Sequence, residues 1–171
     1  HIMNPDQFAA LCQGLGIGDD TLVITYDNGQ SLTAARLWWA LNYYGHTNVK
    51  VLDGGWRRWV AEGRKISFDR ARPAAAVKFT PKPDDSVMVK ADELRAACNM
   101  DDAVLWDVRS DGEWDGSNNR GNKRAGHLPG AVHLEWFQLM DRETHRFKPA
   151  NEIRNILNDN GITPDKKVFS Y

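Results

Sequence analysis

"GIGDDTLVITY" (residues 16–26) recurs in outline as "GITPDKKVFSY" (residues 161–171), and this pair decides the fold. Gly16, Ile17, Asp20, Val23 and Tyr26 lie over Gly161, Ile162, Asp165, Val168 and Tyr171 at one constant offset. The preceding helical patterns align at the same offset, with Phe8, Leu11 and Cys12 over Ile153, Ile156 and Leu157. Chance can match a few positions of one α/β unit. A match of helix, stop, turn and strand in sequence points to duplication. Each copy then shows a different side of one unit: the first has its sequel, the second its prelude.

Working outward, the first half alternates helix and strand. The spacing of Phe8, Leu11, Cys12 and Leu15 predicts a helix with Asp6 near its start. Residues 21–26 read as a strand. "SLTAARLWWALNYYG" (31–45) places Ala34, Leu37, Trp38, Leu41 and Tyr44 on one helical face and stops at Gly45. A second strand (49–52), a "DGG" turn and a short helix (56–63) with Trp56, Trp59 and Val60 inward follow. Strands separated by helices require parallel βαβ pairing. Residues 64–86 then carry three prolines and many charges without a period, which reads as a linker or wrapping segment and not a core element. The second half resumes with "VMVK" (87–90) as an edge strand, a helix over 91–100 and a buried strand over 103–108. A polar glycine-rich loop with room for one helical turn leads to a strand at 131–134, a helix over 151–161 and the last strand at 167–171.

Composition narrows the function. The 171 residues are 42% hydrophobic and 26% charged, with a net charge of −1, so no general attraction to nucleic acid or an anionic membrane is expected. No apolar run approaches the ~20 residues of a membrane span. Cys12 and Cys98 lie in apolar helical patterns and read as small core residues, although sequence leaves a disulfide between them open. A reducing, cytoplasmic compartment fits this usage. "RARP" (70–73) and "RGNKR" (120–124) are short solvated basic clusters. The tryptophans read as packing residues. His46, His133 and His145 lack ligand spacing, so neither a metal nor another cofactor is expected.

In an open parallel sheet, ligands collect beyond the carboxyl ends of the strands. In the first half that place holds Asp27, in a polar loop before a helix start, where backbone N–H groups and the helix dipole favour an anion. Asp27 suits a turn or cap there; a general base is the rival reading. In the second half it holds Arg109. Strand alternation turns Asp107 and Arg109 to the same side, which favours a structural pair, with substrate binding by Arg109 as the alternative.

"LDGGWRRWVAEG" (52–63), "RLWWALNYYGHTNVKVLDGGW" (36–56), "LWDVRSDGEWDG" (105–116), "GHLPGAVHLEW" (126–136) and "GITPDKKVFSY" together resemble the two-domain rhodanese family, the thiosulfate and 3-mercaptopyruvate sulfurtransferases, and bacterial thiosulfate sulfurtransferases above all. The resemblance implies an α/β fold of rhodanese-like parallel sheets flanked by helices, in two partial domains. Residues 4–63 would be the C-terminal part of an inactive domain, 64–86 a linker, and 87–171 the N-terminal part of a second domain, with the chain truncated at both ends. It implies a cysteine nucleophile immediately after Tyr171, opening a short loop that ends in arginine; no catalytic residue then lies within the chain. Asp27 would occupy the degenerate nucleophile position of the first domain, and Leu32 the place of its loop arginine. Glu113 stands where family members often carry a substrate-binding arginine, which leaves thiosulfate and mercaptopyruvate both open as donor. His127 would be a buried, hydrogen-bonded turn residue.

The activity implied is transfer of sulfane sulfur from thiosulfate or a related donor to cyanide or a thiol through a cysteine persulfide, with this chain alone inactive. A non-catalytic module of the same fold and a phosphatase with a longer cysteine loop are the alternatives. The expected partners are the small donor and acceptor, and whatever completes the half-domains. They would be completed by further residues, another chain or a swapped copy, or by closing on each other as one permuted sheet.

Overall fold

The computed structural model describes residues 2–28, 30–70 and 75–171, so part of "RARP" and Gly29 of the Asp27 loop lie outside the described residues. The chain divides into two compact units, His1–Met88 and Val89–Tyr171.

In the first unit, α1 (Pro5–Gly14), β1 (Val23–Thr25), α2 (Leu32–Tyr43), β2 (Val49–Val51) and α3 (Gly55–Ala61) follow in order. Asn4 accepts from Asp6 N to cap α1. β1 and β2 pair in parallel, Val23 against Val49. One face of this pair packs a core of Phe8, Cys12, Val23, Leu41, Tyr44 and Val49. The turn between β2 and α3 needs left-handed backbone at both Gly54 (φ 82) and Gly55 (φ 54), which accounts for the "DGG" stretch.

Two expectations fail in this unit for one reason. Leu37, Trp38, Trp56 and Val60 are exposed, not inward, and so are Leu22, Ile24 and Tyr26 on the outer face of β1. The described residues form a core on one face of the sheet; Leu37 and Trp38 lie on the side of α2 away from it, and Trp56 stacks with Tyr26 off the outer face of β1. The segment 64–86 also departs from its reading. Phe79 is a core residue that meets Phe8 edge-on at 5.7 Å. The backbone around it is tied down: Asp19 N donates to Lys78 O, Lys82 N to Tyr44 O and Asp84 N to Tyr43 O. The chain passes so close to Gly18 that an added Cβ would meet Val77 Cβ at 3.0 Å. This stretch wraps the unit and contributes to its core.

The second unit runs α4 (Ala91–Ala97), β3 (Ala103–Asp107), α5 (Asp111–Trp114), β4 (Val132–His133), α6 (Ala150–Asp159) and β5 (Lys167–Ser170). The sheet order is β4-β3-β5, all parallel. Val104, Leu134 and Ile162 form the core, with Trp106, Ile156 and Leu157 against it. "VMVK" is not an edge strand. Asp84 accepts from Ser86 N and Oγ and curls residues 85–87 into a 3-10 turn, and Glu93 takes the Lys90 N–H to cap α4.

The repeat reads clearly in three dimensions. β1 pairs with the strand that follows it, whereas its counterpart β5 pairs with β3, an earlier strand, and not with β4, the strand just before it. β1 and β3 lie in separate sheets, so the single permuted sheet is not formed.

Candidate functional site

Each unit has its own strand ends, and they differ in chemistry. In the first unit the backbone carbonyl of Asp27 accepts from Trp56 N at 2.8 Å, fixing the residue beside the start of α3. Its carboxylate turns to the N-terminus of α2. Oδ1 accepts from Ser31 N at 2.9 Å, and Oδ2 from Thr33 N at 3.1 Å, Thr33 Oγ1 at 3.0 Å and Ala34 N at 3.2 Å. Helix starts leave such N–H groups unpaired and attract negative charge. Asp27 therefore caps the helix from outside it, as its residue type suggested. Leu32, the first residue of α2, is exposed.

In the second unit the corresponding edge is built on Asp107, which is 0% exposed at the end of β3. Arg109 Nε donates to Asp107 Oδ1 at 2.9 Å and Oδ2 at 3.2 Å, its Nη2 donates to Oδ2, and its backbone N donates to Oδ1 at 3.0 Å. Nη2 also donates to Gly126 O at 3.0 Å. The pairing expected from strand alternation is thus present as a fork-on-carboxylate contact. Burial by itself would raise the Asp107 carboxyl. The hydrogen bonds from the Arg109 side chain and backbone, and a smaller one from Tyr171, outweigh burial and hold it below the ordinary carboxylate range.

Tyr171 completes this edge. Its backbone N donates to Trp106 O at 3.1 Å and its carbonyl accepts from Val108 N at 3.2 Å, which extends the β3–β5 register to the carboxyl end. The ring lies under Arg109, with the guanidinium carbon 5.4 Å from its centroid. The phenol oxygen accepts from Leu128 N at 3.1 Å. Burial, chiefly, raises this phenol above its ordinary pKa.

Glu113 serves the corner after β3. It accepts from Ser110 Oγ at 2.7 Å and closes a capping box over α5, with Arg120 Nη2 at 3.4 Å. His127 is hydrogen-bonded through Nδ1 to Trp114 O at 2.9 Å, but it is exposed and not buried. It lies on the surface turn 126–130 and is held by stacking on the Trp114 ring at 3.4 Å. Cys12 is a buried core residue whose thiol is raised to about 11 by burial, and Cys98 donates to Leu94 O. Both are free thiols, so the disulfide is absent. Among the described residues no group of three or more His, Cys, Asp or Glu side chains is arranged to hold a metal, and no helix is long and apolar enough to cross a membrane.

Sequence reasoning weighed His133 only as a metal ligand and missed its contact with Arg109. The β3–β4 register sets it opposite Asp107, and its Nε2 lies 3.0 Å from Arg109 O. The only signal was that strand register, which no local pattern encodes.

Two units with parallel strands, left-handed "DGG" and "GHLPG" turns and a polar edge at each strand end define a tandem α/β domain protein. The chain belongs to the rhodanese family: the rhodanese-like domain profile matches residues 1–62 and 90–171. It is 31% identical over 176 residues to a provisionally named thiosulfate sulfurtransferase of Saccharopolyspora erythraea, covering 99% of this chain and 62% of that protein. It is 31% identical over 179 residues to the sulfur carrier protein TtuD of Thermus thermophilus, again covering 99% and 62%. Among solved structures, SseA from Escherichia coli, described as a 3-mercaptopyruvate sulfotransferase, superposes with a TM-score of 0.85 at 26% identity, over 98% of this chain and 62% of that one. The wild-type structure of EanB gives 0.85 at 26%, over 99% and 45%. The chain therefore spans about 62% of the length of the curated relatives it matches.

Proposed function

We propose that the protein is a sulfurtransferase that moves sulfane sulfur from thiosulfate or a related donor to cyanide or a thiol, using a cysteine that immediately follows Tyr171. The observation that carries this reading is the register at Tyr171. The backbone at the end of β5 is hydrogen-bonded to Trp106 and Val108, and the Tyr171 ring lies under Arg109 at the carboxyl edge of the sheet, which supports a nucleophile following there. Ligands of parallel α/β sheets collect at that edge. The similarity to TtuD and SseA supports the sulfur chemistry. One EanB structure carries ergothioneine linked with a cysteine persulfide, which supports the intermediate.

The reaction balances without a redox partner. The cysteine thiolate attacks the outer sulfur of thiosulfate, an S–S bond forms to the enzyme, and the bond to the sulfonate sulfur breaks to release sulfite. Cyanide then attacks the persulfide's terminal sulfur, thiocyanate leaves, and the thiolate returns. Arg109 faces the donor anion with the part of its guanidinium that Asp107 and Gly126 leave over; its side chain is 30% exposed. The first unit is silent in this scheme, because Asp27 stands where the nucleophile would be and its carboxylate takes up the helix N–H groups. The half-domains are completed by further residues of the protein, by another chain or by a swapped copy.

The test is thiocyanate production from thiosulfate and cyanide by the protein extended beyond Tyr171. The extended protein should turn over, its cysteine-to-serine variant should not, and residues 1–171 alone should be inert. Activity of residues 1–171 that survives replacing both Cys12 and Cys98 by serine would overturn the assignment. Finding no cysteine after Tyr171 would make the protein a non-catalytic module of this fold, and a longer cysteine loop there would point to a phosphatase.

A further inference from the structure

Apart from the outward part of its guanidinium, Arg109 is held at every point but one by partners already described. Its N–H is taken by Asp107 Oδ1, and its guanidinium by Asp107 and Gly126 O. The remaining point is its own carbonyl, and there His133 Nε2 approaches to 3.0 Å. A carbonyl only accepts, so Nε2 carries the proton and donates. The ring cannot drift, because it stacks on Trp114 at 4.8 Å with an interplanar angle of 7° and is 15% exposed. Trp114 is in turn stacked on His127, whose Nδ1 bonds the Trp114 carbonyl. This imidazole–indole–imidazole array joins α5, the 126–130 turn and β4 to the exit of β3. Asp107 lies opposite in the strand register, and Asp111 Oδ1 is 3.7 Å from Nδ1, beyond hydrogen-bond distance, with its side chain exposed.

We propose that His133 is a positioning residue for the donor site: through the Arg109 carbonyl it sets the guanidinium that faces the donor anion. This rests on the reading of Arg109 given above. Asp107 fixes which way the fork points, and His133 fixes the peptide from which the fork springs. Loss of this one hydrogen bond leaves the nucleophile and the sulfur chemistry untouched. It weakens the hold on the donor.

The experiment uses the extended, active protein with thiosulfate as the varied substrate. His133→Gln keeps an N–H at about the reach of Nε2; His133→Asn falls short of the carbonyl. We expect KM for thiosulfate to rise about three- to tenfold in His133→Asn, the range for one lost hydrogen bond, with kcat within about twofold, and His133→Gln to restore the parent KM. A purely structural role would move both variants together and lower kcat as KM rises. Equal KM in His133→Asn and His133→Gln, while Arg109→Gln raises KM, overturns the role of His133. An unchanged KM in Arg109→Gln overturns the reading of Arg109 itself, and the inference with it.

Discussion

Asp27 and Asp107 stand at the carboxyl ends of strands in the two units, and they spend their charge in opposite ways. Asp27 accepts from the backbone N–H groups of Ser31, Thr33 and Ala34 and from the Thr33 hydroxyl at a helix start. Asp107 is neutralised by one guanidinium, with Tyr171 beside it. The first arrangement puts an anion where a ligand anion would go, and the edge is satisfied within itself. The second holds a cation at the edge and leaves part of it outward. In the first unit the carboxylate is taken up by the helix start, and in the second the Asp107–Arg109 fork leaves part of its guanidinium outward.

The largest expected effect breaks the second arrangement. Asp107→Ala strands the Arg109 guanidinium and backbone N–H beside a buried gap, and we expect a loss of roughly 3–5 kcal/mol, the range for removing one partner of a buried pair. Amide exchange at β3 and β5 would register it. The pH dependence follows from the same pair. Because the folded carboxyl is held below its ordinary value, its contribution is complete above the unfolded pKa of about 3.9 and is lost as the pH falls through the folded value. Acid loosening of the Ala103–Asp107 amides should therefore begin as the pH falls through the ordinary carboxylate value and be complete only below the folded one, and Asp107→Asn should abolish that step. Nearly as large, Phe79→Ala should cost about 3–4 kcal/mol in the first unit. A true linker residue there would cost nothing, so denaturation of this variant separates wrapping from linking.

The parallel α/β character and the same-side placement of Asp107 and Arg109 were legible because both follow from short periods and from a repeat. What was not legible depended on distant partners. Phe79 lies in a charged, proline-bearing stretch whose composition hides one buried ring. Trp56 and Val60 have the spacing of inward residues, yet the core lies on the opposite face of the two-stranded sheet. "VMVK" has strand composition, and the side chain of Asp84, outside the run, bends the chain before it can pair. His133 gained its partner only through cross-strand register with a strand far back in the chain.

A smaller effect tests the closed edge. Asp27→Ala removes the acceptor for Ser31, Thr33 and Ala34 and should cost about 1–2 kcal/mol, as for other helix caps. The amides of Thr33 and Ala34 should exchange faster, while Leu41, in the core, holds. Unchanged exchange at Thr33 and Ala34 would mean that the cap is not what closes this edge.

The smallest effect is the most informative about the open edge. Tyr171→Phe keeps the ring under Arg109 and removes only the phenol oxygen. Leu128 N then loses its acceptor, and Asp107 loses its minor partner. One net hydrogen bond is about 1 kcal/mol. If the Asp107–Arg109 fork is sufficient in itself, the loss is local: exchange at Leu128 quickens and exchange at Val108 does not. If the phenol is what ties the 126–130 turn to the fork, both quicken together, and this edge is held by three residues, where the first unit's edge is held at Asp27 by the N–H groups of a helix start. We expect the second result, because Arg109 is bonded to both sides of that tie, to Asp107 and to Gly126 O.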